Sequence, residues 1–173
     1  MEWWGYARAL HVIGVVLWIG GVAMVTTVLL PAVAKRAAEG EALAFFERVE
    51  HGFARQARWT TALVGLSGFY LTAALDLWHR FADPRYWWMS AMVAIRVVFT
   101  LLLFVLEPLV LHRWFASRAR LDPRGTLKLV LGLHWILLVL SLLTIAGAVA
   151  GSHGVFFVSQ ESHRDRIAGS LHA

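Results

Sequence analysis

The stretch Leu10-His11-Val12-Ile13-Gly14-Val15-Val16-Leu17-Trp18-Ile19-Gly20-Gly21 decides the fold. It is a long apolar run that carries an imidazole near its start. An ionisable side chain within a membrane span is costly, faces the protein interior as a rule, and marks a functional site by default. On a helix His11, Gly14, Trp18 and Gly21 share one face. The glycines are expected to leave room beside the ring for something flat and bulky.

Working outward, composition agrees with a membrane-embedded chain. Of 173 residues, 59% are hydrophobic and only 16% charged, nine are tryptophan, and the mean hydropathy is +0.64. Such a chain cannot hide its apolar surface in a water-soluble core of its own size. Four stretches reach the roughly 20 residues that a spanning helix needs: about 9–34, 59–78, 87–111 and 127–151. The first is expected to stay as a transmembrane helix, since no basic segment precedes it and no clean small-x-small cleavage site follows. The expected fold is all-α, an integral membrane four-helix bundle in one domain covering residues 1–173.

Charge sets the orientation. Lys35, Arg36, Arg48, Arg55 and Arg58 lie between spans one and two, and Arg113, Arg118, Arg120, Arg124 and Lys128 lie between or at the start of spans three and four. The positive-inside rule makes that side cytoplasmic and puts both termini outside, periplasmic for a bacterial inner membrane. Trp3, Trp4, Trp78, Trp87 and Trp88 then form an outer aromatic belt, with Trp59 and Trp114 at the inner interface. The excess of 16 Lys and Arg over 11 Asp and Glu is thus spent on topology, and nucleic acid is not an expected partner. Residues 41–56 alternate Phe45, Phe46, Val49 and Phe53 with Glu47, Arg48, Glu50, His51 and Arg55. That pattern suits an amphipathic helix at the inner interface or a cytoplasmic extension of span two. Asp83-Pro84 and Asp122-Pro123-Arg124-Gly125 read as turns.

Polar residues inside the spans fall into two layers. The outer one holds His11, His79, His153 and Arg96; the inner one holds Glu107, His112, His134 and His51. Without cysteine, thiolate metal sites, cysteine-ligated iron–sulfur clusters and covalent haem are excluded. A non-covalent haem b remains, which needs axial ligands on facing helices, a planar slot and cations for its propionates. His11 and His153 are the expected iron ligands with His79 as substitute. Gly14, Gly151 and Trp18 are expected beside the ring, and Arg96, Arg80 or Arg85 at the propionates. Arg96, Glu107 and His134 are the candidates for charge and proton handling. Thr61, Gly65, Gly68 and Thr72, like Gly147-Ala-Val-Ala-Gly151, read simply as helix-packing stripes, which is compatible with room for a planar cofactor.

Two other classes stay open. Copper is the alternative cofactor, with His11, Met89, Met92 and His153 as an outer Cu(I) site, since thioether and imidazole suit that ion. The third is a non-catalytic membrane subunit, packed against a second protein or another copy of itself.

The opening Arg8-Ala-Leu10-His11-Val-Ile-Gly14-Val-Val-Leu-Trp18-Ile-Gly20-Gly21 resembles the first span shared by CopD-type copper-resistance membrane domains and HemJ-type membrane protoporphyrinogen oxidases. Gly65-Leu-Ser-Gly68-Phe-Tyr70 is similar to the second span of the HemJ-type proteins. The resemblance implies b-type haem held by the histidine at position 11. Span three departs from it: Trp88-Met89-Ser90-Ala91-Met92 stands where those oxidases carry a Trp-x-His-Ala-Lys-like sequence. What the resemblance implies is therefore a haem-binding scaffold without that particular reaction. The resulting expectation is a haem b redox protein that moves electrons between a membrane quinone and an outer acceptor.

Overall fold

The computed structural model describes residues 3–35, 40–105 and 122–155, and among these it holds helices and short turns but no strand. Helix α1, Trp3–Met24, passes through a π-helical turn, Val25–Leu29, into α2, Leu30–Lys35. Pro31 explains the wider turn. It has no N–H to donate and its ring crowds the carbonyl four residues back, so the backbone opens by one residue instead of breaking. Thr26 and Thr27 sit in that turn and donate to the carbonyls of Val22 and Ala23 at 2.7 and 2.8 Å. A second π-helical stretch, 102–105, comes just before Pro108 in the sequence.

Helix α3, Gly40–Ala74, is unbroken. Residues 41–56 therefore extend span two and do not form a separate element. The helix stops four residues before the end expected from hydropathy. Asp76 adopts the left-handed conformation at φ 47°, Leu77 N–H reaches back to Thr72 C=O at 2.9 Å, and Asp76 N–H to Ala73 C=O at 3.4 Å. This Schellman arrangement satisfies the last carbonyls and turns the chain. Two 3-10 turns follow, Trp78–Ala82 and Pro84–Tyr86, before α4, Trp87–Leu101.

Both Asp-Pro pairs start helical turns. Asp83 accepts from the Arg85 backbone N–H at 2.9 Å, and Asp122 accepts from that of Gly125 at 2.9 Å, each with proline in the first helical position, where a missing N–H costs nothing. The residues read as a turn before span four are thus the cap and first turn of α5, Pro123–Ser152. That helix closes like α3: Gly154 at φ 82° lets Val155 N–H reach Ala150 C=O at 3.0 Å.

Three helical runs are long and apolar enough to cross a membrane: Trp3–Lys35, Pro84–Val105 and Gly125–Ser152. Helix α3 is long enough but more polar, and the polarity faces inward. Thr60, Thr61, Val64 and Ser67 are buried, while Trp59, Leu66 and Phe69 are 76%, 73% and 65% exposed. The other helices share this inside-out pattern, with Ser141 and Thr144 buried and Leu142 and Leu143 exposed. An apolar exterior of this extent fits contact with membrane lipid. The buried hydroxyls of Thr26, Thr60, Ser67, Thr126, Ser141 and Thr144 each donate to a carbonyl three or four residues back in their own segment, so they cost little in a water-free interior.

Helix α1 packs chiefly on α3, and α4 on α5. One core layer draws on all four long helices: Trp18, Ile19 and Val22 from α1, Val64 from α3, Phe99 from α4 and Leu138 from α5. Trp18 meets Phe99 edge-on at 4.8 Å between centroids. A second layer, nearer Lys35, joins Val25, Leu29, Leu30 and Val33 to Leu127.

Candidate functional site

His11 projects from α1 onto the small-residue stripe of α3. Its Nδ1 lies 3.0 Å from the Val64 carbonyl and 3.1 Å from Ser67 Oγ. A carbonyl can only accept, so Nδ1 carries the proton. Ser67 spends its own hydrogen on Leu63 C=O at 2.6 Å and therefore accepts from the imidazole. The ring is fixed in one tautomer, leaving Nε2 with its lone pair, and no described residue hydrogen-bonds to Nε2. Gly68 makes the approach possible: a Cβ there would stand 3.1 Å from His11 Cε1.

Arg96 reaches the same stripe from α4. Its guanidinium lies across Gly65, where a Cβ would coincide with it, and donates to the Thr61 carbonyl. Gly65 is about one turn inward of Gly68, so imidazole and guanidinium are neighbours on α3, within electrostatic reach of each other. Among the described residues Arg96 has no carboxylate within ion-pair distance. A half-buried cation with one carbonyl partner can receive an anionic group through its remaining N–H donors.

The expected slot does not lie at the glycines. Gly14 is covered by Val64, with a Cβ position 2.8 Å from Val64 Cγ2; Gly21 is filled by Phe53, Gly147 by Trp87 and Gly151 by Trp88. Trp18 is 4% exposed in the core and does not line an opening. These small residues admit side chains of neighbouring helices, the packing alternative of the two readings. Trp18 Nε1 and Thr61 Oγ1 are buried in this region without a hydrogen-bond partner.

The outer histidines are not brought together. Leu138 and Trp18 share a core layer; from there His153 stands about 22 Å outward along α5 and His11 only about 10 Å outward along α1, so the two differ in depth by about 12 Å. The structure does not bring the two imidazoles to one level. His153 is exposed and donates from Nδ1 to Val149 C=O at 2.8 Å, capping the end of α5. His79 is exposed in the first 3-10 turn and bonds the Asp76 carbonyl at 3.0 Å. His134 bonds the Val130 carbonyl on its own helix at 2.9 Å. Among the four histidines whose side chains are described, His11 alone is held across two helices. Glu107, His112 and Trp114 lie outside the described residues, as do the side chains of Glu47, Glu50 and His51, so the Glu107–His134 pairing does too.

Of the three arginines expected at propionates, Arg85 is committed elsewhere. It forms a two-pronged ion pair with Asp83 at 2.6 and 2.9 Å, which holds the Asp83 carboxyl below its ordinary range. No group of three His, Cys, Asp or Glu gathers among the described residues to hold a metal ion by itself. Of what a haem needs, the described residues offer one imidazole nitrogen that could take the iron, His11 Nε2, and one cation that could take a propionate, Arg96, while the glycines expected to form the slot are covered by side chains. The residue that sequence reasoning missed is Ser67, the hydroxyl acceptor between Gly65 and Gly68; its signal was a polar residue inside the glycine stripe that must face α1. No family model, curated protein or solved structure matches the chain.

Proposed function

We propose that the chain is a four-span protein of the bacterial inner membrane that binds haem b through His11 and passes electrons between a membrane quinone and an acceptor on the outer side. The observation that carries this reading is the His11 imidazole, pinned across α1 and α3 by Val64 and Ser67 with its Nε2 lone pair free, beside an arginine that lacks a carboxylate partner among the described residues. The resemblance of the first span to HemJ- and CopD-type proteins, and of the second to HemJ-type proteins, supports the same scaffold. In this reading α3 is the fourth span, its polar face turned inward, and the Lys and Arg residues of the two inner loops keep both termini periplasmic.

The chain's residues divide the work. Val64 and Ser67 hold the His11 ring, fix its tautomer and raise its basicity as a ligand, the part that outer hydrogen bonds play at metal-bound histidines. Arg96 would hold a propionate. Glu107 and His134 move the proton that accompanies the electron on the inner side. Bound haem supplies a one-electron redox centre, and the protein supplies ligand, orientation and charge. The test is a pyridine haemochrome assay with a reduced-minus-oxidised spectrum of the purified protein. Haem b in the wild type is expected; a colourless protein after expression with haem supplied overturns the reading and favours a copper carrier or a structural subunit.

A further inference from the structure

Span three carries a proline in its inner half. The stretch 102–105 is π-helical, and Pro108 follows it in the sequence. In a π-helix each carbonyl accepts from the N–H five residues on, against four in an α-helix. Proline has no N–H to give. Position 108 therefore leaves the Leu103 carbonyl without its helical donor in the π register, and the Phe104 carbonyl in the α register. The first span shows the π register just before its own proline, where Leu30 N–H reaches back to Val25 C=O and Pro31 comes next. Within a bilayer no water takes up an orphaned carbonyl, so its donor has to come from the protein.

A donor arrives from the neighbouring helix. Arg58 of α3 gives its Nε–H to Leu103 C=O at 3.2 Å. Of the two carbonyls that Pro108 can orphan, this is the one that the π register selects. Nearer the outer side the direction is reversed, and Arg96 of α4 donates to Thr61 C=O of α3. Because α1 packs chiefly on α3, and α4 on α5, these two arginine-to-carbonyl bonds tie one helix pair to the other.

We infer that Arg58 is the substitute donor for Pro108: its guanidinium takes the place of the missing backbone N–H and latches the π-helical part of span three to α3. Arg58 then has a role within the fold besides its share in the positive-inside charge. The latch does not involve haem, and its failure would leave the His11 reading untouched.

The latch couples Arg58 to Pro108, and a double-mutant cycle on the full chain in detergent measures that coupling. Arg58→Met keeps an apolar stem and loses the donors; Pro108→Ala restores an N–H at position 108. Arg58→Met should raise the unfolding equilibrium constant about tenfold more in the wild-type background than in the Pro108→Ala background. Any other contact of Arg58 is lost in both backgrounds and cancels in the comparison. A second readout keeps the arginine in place: exchange of the Arg58 Nε–H with solvent, followed by nitrogen-15 NMR, should be slow in the wild type and faster in Pro108→Ala, where the backbone competes for the carbonyl. An equal cost of Arg58→Met in both backgrounds, or an Arg58 Nε–H that exchanges equally with and without Pro108, would overturn the proposal. If Arg58→Met does not fold, the exchange comparison decides by itself.

Discussion

The α1–α3 and α4–α5 contacts both rely on glycine, yet they do opposite things with it. On α3, Gly65 and Gly68 receive polar groups from other helices, the Arg96 guanidinium and the His11 imidazole, each of which finds a backbone carbonyl there. On α5, Gly147 and Gly151 receive the indoles of Trp87 and Trp88, and the seam beside them stays open as an apolar groove. A glycine stripe therefore specifies how closely two helices approach, while the residue arriving from the other side decides whether the contact is a site or a seam.

The comparison breaks first at Gly151. A methyl group there meets Trp88, a buried and closely packed side chain, so Gly151→Ala should destabilise by about 1–3 kcal/mol, read from thermal or denaturant unfolding in detergent. Removing the acceptor in Ser67→Ala should cost about 1 kcal/mol, because Val64 C=O still holds the His11 Nδ1–H. If haem binds through His11 as proposed, the same change should shift its absorption spectrum or midpoint potential without loss of haem. Two substitutions should act in the opposite direction. Gly20 has open space around its Cβ position, so Gly20→Ala should stabilise by roughly 0.5–1 kcal/mol through helix propensity. Thr61→Val removes a buried hydroxyl that has no partner, keeps the carbonyl that Arg96 uses, and should be neutral or mildly stabilising.

The smallest effect is expected at the outer hairpin. Asp83 has its carboxyl held below the ordinary range by the hydrogen bond and charge of Arg85. A lowered folded-state value means that the contribution is complete at neutral pH and is lost as pH falls through that lowered value. The protection factors of the Arg85 and Tyr86 amides, exchange rates taken relative to an unstructured peptide at the same pH, should therefore fall in strong acid in the wild type. In Asp83→Asn those protection factors should be lowered already at neutral pH and change little with pH, and an equal acid response in both would remove Asp83 as the cause.

Much of this architecture was legible in residue order. Apolar length marks three runs clearly. It misplaces the end of the second stretch because Leu75 and Leu77 look like membrane residues, while Asp76 between them takes the left-handed turn. Hydropathy also understates α3, since Thr60, Thr61, Ser67 and the glycines lower its average by facing inward. The glycine stripes were legible as small; what fills them was not, because Phe53, Val64, Trp87 and Trp88 arrive from partners set by tertiary register. Depth failed for the same reason. His11 and His153 both sit near helix ends in the sequence, but α1 begins at Trp3 and α5 runs on to Ser152, which moves the two imidazoles to different levels.

If the chain binds haem b as proposed, His11 is the iron ligand it provides and neither outer histidine is. That assignment is tested most directly by optical and magnetic circular dichroism spectra of the haem-loaded protein, compared across His11→Ala, His79→Ala and His153→Ala at matched helical content. Lost or recoordinated haem is expected in His11→Ala only, with wild-type spectra in the other two. A wild-type ligation spectrum in His11→Ala, or its loss in His153→Ala, would contradict it.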